Sequence, residues 1–263
     1  MNQTEFLLLT ADEPGRLPPV SPTTIAGVDL PLGVLLDADS DFSDDPATPS
    51  QRAWMSAAPL DDTTALWWRL AGVFSQTGLW PLVTQSLDDP SNPGRPWSAG
   101  EFSDPTEPSR SAEEFFSEAL EGLESRYLAG FPGLAAAQRH DSELVEVPRL
   151  TLPAGGILLV PTTRPADVLS RLGWLGATNH HSSADLTVVL RSWEDRFGTV
   201  PVLLGFDVLG VVSEALPSAR DDLDRLAAEH YAFCPDNIDQ GMDDLRAYGE
   251  QIGRSPAWTF WWD

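Results

Sequence analysis

His230 and Cys234 are the residues of this chain best placed to do chemistry together. Cys234 is the one cysteine, and His230 is one of four histidines. They close the run Leu223, Leu226, Ala227, His230, Tyr231, Cys234, which steps by threes and fours. That spacing puts both on one helical stripe, a turn apart. Three chemistries fit. The pair could ligate a metal, with Asp236, His180 or His181 completing the set. It could be a thiol nucleophile with its base. Or the histidine bonds a backbone carbonyl beside a thiol that packs as a small hydrophobe. The third is preferred, because zinc wants a second well-spaced pair and the adjacent His180 and His181 do not readily turn to one ion. No metal and no cofactor are therefore expected.

Around this pair lie further polar residues. Pro235-Asp236-Asn237 stops the helix, either as plain turn chemistry or as a polar loop at a pocket rim. In Arg191-Ser192-Trp193-Glu194-Asp195-Arg196-Phe197, Trp193 and Phe197 face the core, while Arg191–Asp195 and Ser192–Arg196 can pair across one turn. The candidate binding residues are Trp193, Glu194, Glu229, His230, Cys234, Asp236 and Asn237. No catalytic set can be named. The chain has no Gly-x-Gly-x-x-Gly, no Gly-x-Ser-x-Gly, no His-Glu-x-x-His and no Cys-x-x-Cys.

The elements that must position these residues are mostly helices. Asp61-Asp62-Thr63 opens one that carries Leu66, Trp67, Leu70, Val73 and Phe74 and stops at Gly78. Ser111 and Glu114 form a capping box before Phe115, Phe116, Ala119, Leu120, Leu123 and Tyr127, with Gly130 as the C-cap. Pro165 opens a short helix ending near Gly173. Ser183 opens one with Leu186, Val189, Leu190, Trp193 and Phe197 on its apolar face, and another begins near Ser218. Strands are expected at 156–160, 200–206 and 258–262, with one or two more near 6–10 and 32–36. In the last of the 156–262 set, both faces look apolar, which places it inside a sheet or under a helix. The Pro/Asp/Ser-rich stretches 37–50 and 86–110 read as loops. The expected fold is α/β, a mixed sheet flanked by helices in residues 146–263, with a helix- and loop-rich lobe over residues 1–145.

Composition narrows the function. Forty acids oppose sixteen bases, a net charge of −24, and every base is Arg. Without Lys, a phosphate-loop lysine, a Schiff base and a pyridoxal site are impossible. The acidic balance disfavours nucleic acid and anionic membranes and would steer a basic protein partner. One cysteine forbids an intrachain disulfide. Residues 1–5 carry no basic leader, and no stretch approaches the ~18 apolar residues of a membrane span. A soluble, cytoplasmic protein is expected. The ten Trp residues read first as core and second as a groove lining for sugar or peptide.

Ordered blocks in the second half resemble a known bacterial family. They are residues 190–198, then Ala228 to Asn237 with Glu229, His230, Cys234 and Asp236, then Gln240-Gly241, then Trp258 to Asp263. Residues 155–263 are similar to the family called domain of unknown function 4253. Thr77 to Pro81, and Arg95-Pro96-Trp97 with Gly100-Glu101, are similar to the leading part of actinobacterial members. The resemblance implies no activity and transfers no residue role. Two functions stay open. The first is an acidic protein-binding module, in concrete form an immunity-type partner of a basic secreted nuclease. The alternative is a hydrolase or transferase working in a cleft near Glu229, His230 and Asp236, which requires an exposed His230.

Overall fold

Continuous apolar runs build the middle of the main sheet. A computed structural model describes residues 4–44, 50–85, 92–97, 101–123, 126–139 and 143–263. Its first elements are β1 (Thr4–Leu8), β2 (Thr23–Ile25), β3 (Val28–Leu30), β4 (Gly33–Asp37), β5 (Gln51–Ser56), α1 (Thr63–Gly72), α2 (Phe74–Thr77) and β6 (Leu79–Thr84). Then come α3 (Ala112–Gly122), β7 (Leu144–Pro148), β8 (Gly156–Pro161), α4 (Val168–Leu172), α5 (Ser183–Phe197), β9 (Val200–Leu204) and β10 (Val208–Val212). The last are α6 (Arg220–Phe233), α7 (Leu245–Ile252) and β11 (Ala257–Trp261). Two antiparallel pairs stand apart from the large sheet, the hairpin β2–β3 and the long-range pair β1–β7.

That sheet has seven strands in the order β11-β10-β9-β6-β8-β5-β4. The β6–β9 pair is parallel and the others are antiparallel, so the sheet is mixed. Every residue of β6 and β9 is buried, which is what a strand covered on both faces requires. Pro81 and Pro201 sit in these central strands, where a missing N–H is normally costly. Pro201 is tolerated beside the irregularity at Gly210/Val211 of β10. Both proline carbonyls take indole donors, Pro81 from Trp67 and Pro201 from Trp80, each at 2.8 Å.

The α/β class and the mixed sheet with helices are as the sequence implies. Three strands of the large sheet are not, nor are β2, β3 and β7 outside it. β5 lacks the β-branched run that marks a strand, β6 follows a helix stop and contains a proline, and Gly210 breaks the apolar run of β10. The large sheet takes β4, β5 and β6 from before residue 145 and β8 to β11 from after it, and residues 145–146 lie within β7. β11 also corrects the expectation of two covered faces. It is the sheet's edge, with Trp258 and Phe260 buried but Ala257 and Thr259 exposed. Trp261, half-buried, made the outer face read as apolar in sequence. Within the loops expected at 37–50 and 86–110, residues 45–49, 86–91 and 98–100, including Gly100, lie outside the described residues.

Helices α5 and α6 carry most of the candidate residues. α5 starts where the Ser182 hydroxyl accepts from the Asp185 N–H. It ends at Gly198, whose φ of +64° suits glycine and whose absent Cβ leaves room for Glu214. Its stripe of Leu186, Val189, Leu190, Trp193 and Phe197 is buried, at roughly 1.5–3 kcal/mol per large apolar side chain. α6 opens with Asp221 and Asp222 in its first turn, favourable at the positive end of the helix dipole. It stops at Cys234, ahead of Pro235. α3 ends at Gly122, short of the expected Tyr127 and Gly130.

Candidate functional site

Glu229 has no solvent exposure, so its carboxylate must find donors inside the protein. It finds four. Oε1 accepts from the Ala135 N–H at 2.7 Å and from Arg196 Nη1 at 2.9 Å. Oε2 accepts from Trp193 Nε1 at 2.8 Å and from Arg196 Nη2 at 2.6 Å. Arg196 also donates to Ala135 O and to Ser192 Oγ. This bidentate node ties α5, α6 and the segment around Ala135 together. It leaves Glu229 no open position for a substrate.

His230 is fully enclosed by Trp193, Trp258, Phe260 and Tyr248, with ring centroids 4.6–5.7 Å away. Nδ1 lies 3.1 Å from the Tyr248 hydroxyl, while Nε2 has no hydrogen-bond partner. The Tyr248 oxygen accepts from Asn237 Nδ2 at 3.3 Å. Matching donors to acceptors then has the Tyr248 hydroxyl donate a hydrogen bond to His230 Nδ1 and leaves Nε2–H against the aromatic rings, a weak but recurrent contact. Burial holds the imidazole pKa well below its usual range, and Arg196 adds to this. The ring is therefore neutral and screened from solvent, and the exposed base that the enzyme reading needs is absent at His230.

Cys234 and Asn237 fasten the edge strand. Trp262 N–H donates to Asp207 O and Ser213 N–H to Pro256 O, so residues 257, 259 and 261 turn their backbone groups away from β10. Asn237 Nδ2 donates to Thr259 O at 2.7 Å, and its Oδ1 accepts from Trp261 N–H at 3.3 Å. Cys234 Sγ–H reaches Trp261 O at 2.9 Å and Asn237 Oδ1 at 3.4 Å. One amide thus takes the place of a further strand on the free edge. Burial pushes the Cys234 thiol up to about 12, which removes the thiolate that nucleophilic chemistry requires.

Asp236 and Glu194 face elsewhere. Asp236 Oδ2 accepts from Asp263 N–H at 2.9 Å and lies 3.3 Å from His180 Nε2, and Oδ1 accepts from Gln240. His180 lines a cleft of about 370 Å³ with Arg110, Phe115 and Asp185. His181 lines the same cleft, but its Nε2 lies 3.0 Å from Ala232 O, and burial lowers its pKa to about 4. Glu194 accepts from Arg164 Nε at 2.7 Å and from the Ala166 N–H at 2.9 Å. Burial outweighs these partners and pushes its carboxyl up to about 7. Arg191 pairs with Asp167 rather than with Asp195, which goes to Arg164. The partners come from a neighbouring turn that helical spacing does not reveal.

The structure therefore joins Trp193, Glu229 and His230 in one core and Cys234 with Asn237 at its rim. It sets Asp236 and Glu194 apart. The Ser192–Arg196 pair forms as helical spacing implies, but sequence gives no sign of Arg196's grip on Glu229 or of the parts Tyr248 and Thr259 play. In the sequence, His180 and Asp236 come together only as members of a metal set, whereas the structure places them in direct contact. Among the described residues no group of three or more His, Cys, Asp or Glu is placed to hold a metal ion, and no helix is long and apolar enough to cross a membrane. No curated protein and no solved structure matches the chain. A family model matches part of it, while the blocks at 77–81 and 95–101 lie outside that part. The stretch from β8 through β11, residues 156–263, which holds Glu194, Glu229, His230, Cys234, Asp236 and Asn237, matches the family described as Domain of unknown function (DUF4253).

Proposed function

We propose that the chain is an acidic protein-binding module whose partner is a basic protein, in concrete form the neutralising partner of a basic nuclease, acting in the cytoplasm and away from nucleic acid. The observation that carries this reading is where the arginines go. Most of the sixteen are held by the chain's own carboxylates, as in Arg52–Asp104, Arg164–Glu194, Arg191–Asp167 and Arg196–Glu229. The surplus acids, a net −24, are left to set the surface field, which attracts and orients a cationic partner. Capture from a native lysate tests it. At about 50 mM salt a protein of pI above about 9 should be retained, and it should be released near 0.5 M as the field is screened. Recovery of no basic protein at low or moderate salt would refute the reading.

A hydrolase or transferase reading keeps one supporting observation, the His180–Asp236 contact on an open cleft. It moves the base from His230 to His180. We further infer that residues 1–145 and 146–263 form one folding unit, because β6 lies between β8 and β9. Residues 146–263 produced alone should lack a cooperative unfolding transition, and a sharp transition in that fragment would show two separate units.

A further inference from the structure

A groove of about 470 Å³ runs along the outer edge of β11, between that strand, α7 and the turn after α6. Its size is that of a small-ligand site. None of its described lining residues is charged, in a chain of net charge −24. Trp258, Trp261 and Tyr248 supply aromatic surface, and Trp261 is half-buried with part of its indole open. Gln251 and Thr259 are exposed, and their side chains have no hydrogen-bond partner among the described residues. The Thr259 N–H turns outward from the edge without a partner as well. Asn237 is largely used up: its amide hydrogens go to Thr259 O and the Tyr248 oxygen, and its Oδ1 accepts from Trp261 N–H.

We propose that this groove binds a neutral saccharide. A sugar ring offers C–H faces for the indole of Trp261 and hydroxyls for the Gln251 amide, the Thr259 hydroxyl and the Thr259 N–H. An anionic ligand is repelled by the field of the whole chain, and a cationic one finds no carboxylate in the groove. An extended peptide cannot add as a strand, because Asn237 and Cys234 already occupy Thr259 O, Trp261 N–H and Trp261 O. The site is independent of the partner proposed above. Sugar binding should be insensitive to salt, whereas capture of a basic protein should not.

Isothermal titration of the full chain with maltotriose, xylotriose and chitotriose tests the assignment. At least one should give saturable binding that persists at 0.5 M salt, on the order of a millimolar Kd or tighter, and a trigalacturonate should bind at least about tenfold more weakly. Trp261→Ala and Gln251→Ala should each weaken the neutral sugar by about tenfold or more. Gln251 is exposed, so its variant decides the matter if Trp261→Ala fails to fold. No saturable binding of any of the three, unchanged affinity in Gln251→Ala, or a proline-rich peptide binding in their place would overturn the proposal.

Discussion

The node around Glu229 and the groove along β11 come from neighbouring stretches of chain and have opposite character. In the node a carboxylate without solvent exposure is held by four donors, one arginine gripping it bidentately. In the groove no described lining residue is charged, and an amide, a hydroxyl and a backbone N–H have no partner among the described residues. The difference separates what holds the molecule from what can meet another molecule. The residues that looked most chemical in sequence, Glu229, His230 and Cys234, belong to the first kind.

The largest effect expected from breaking that contrast is at Glu229. Glu229→Ala leaves the half-buried Arg196 beside an empty site and removes the fully buried partner that four donors hold, and should cost about 3–5 kcal/mol in urea denaturation. A loss below about 1 kcal/mol would mean that the node is not what ties α5 to α6.

Glu194 sharpens the contrast through pH. Its carboxyl titrates at 4.5 when unfolded and near 7 in the fold, so between those values the folded state holds the extra proton. The associated stability, on the order of 3 kcal/mol, is full below pH 4.5 and is lost as the pH rises through 7. Urea midpoints of wild type and Glu194→Gln across pH 4.5–8 measure it. The variant should show the shallower decline, and identical slopes would place the ionised form in the fold throughout.

At the rim, Asn237→Ala removes the bonds that close the edge of β11. It should cost about 1–3 kcal/mol and raise self-association by sedimentation, because the unpaired edge is then free to add strands. A monomeric variant with unchanged stability would remove the latch from the account. Gln251→Ala, on the groove's open side, should change stability by no more than about 0.5 kcal/mol, and a larger loss would make the groove wall part of the core.

The local pattern was legible where it is helical. The three-and-four steps from Leu223 to Cys234 placed His230 and Cys234 on the buried stripe, and Trp193 and Phe197 were legible for the same reason. What escaped the sequence depends on chain segments meeting from afar. Arg196 reaches Glu229 across a residue separation of 33, and Asn237 reaches Thr259 across 22. Nothing among forty acids marks which one an arginine will take. β6 escaped because a strand between β8 and β9 is defined by its neighbours, and its own proline argued against it. Trp261 misled because alternation cannot be read when a tryptophan stands on the exposed face.

The central claim, that the His230–Cys234 stripe is packing rather than a reactive site, can be tested on a single atom, because Cys234 is the chain's one thiol. A buried thiol pushed up to about 12 should not react with an aromatic disulfide reagent at pH 8 in the native state. It should label completely once urea unfolds the chain, with a native rate set by the opening equilibrium. Stoichiometric labelling of the native protein within minutes would contradict the account and return His230 and Cys234 to the list of reactive groups.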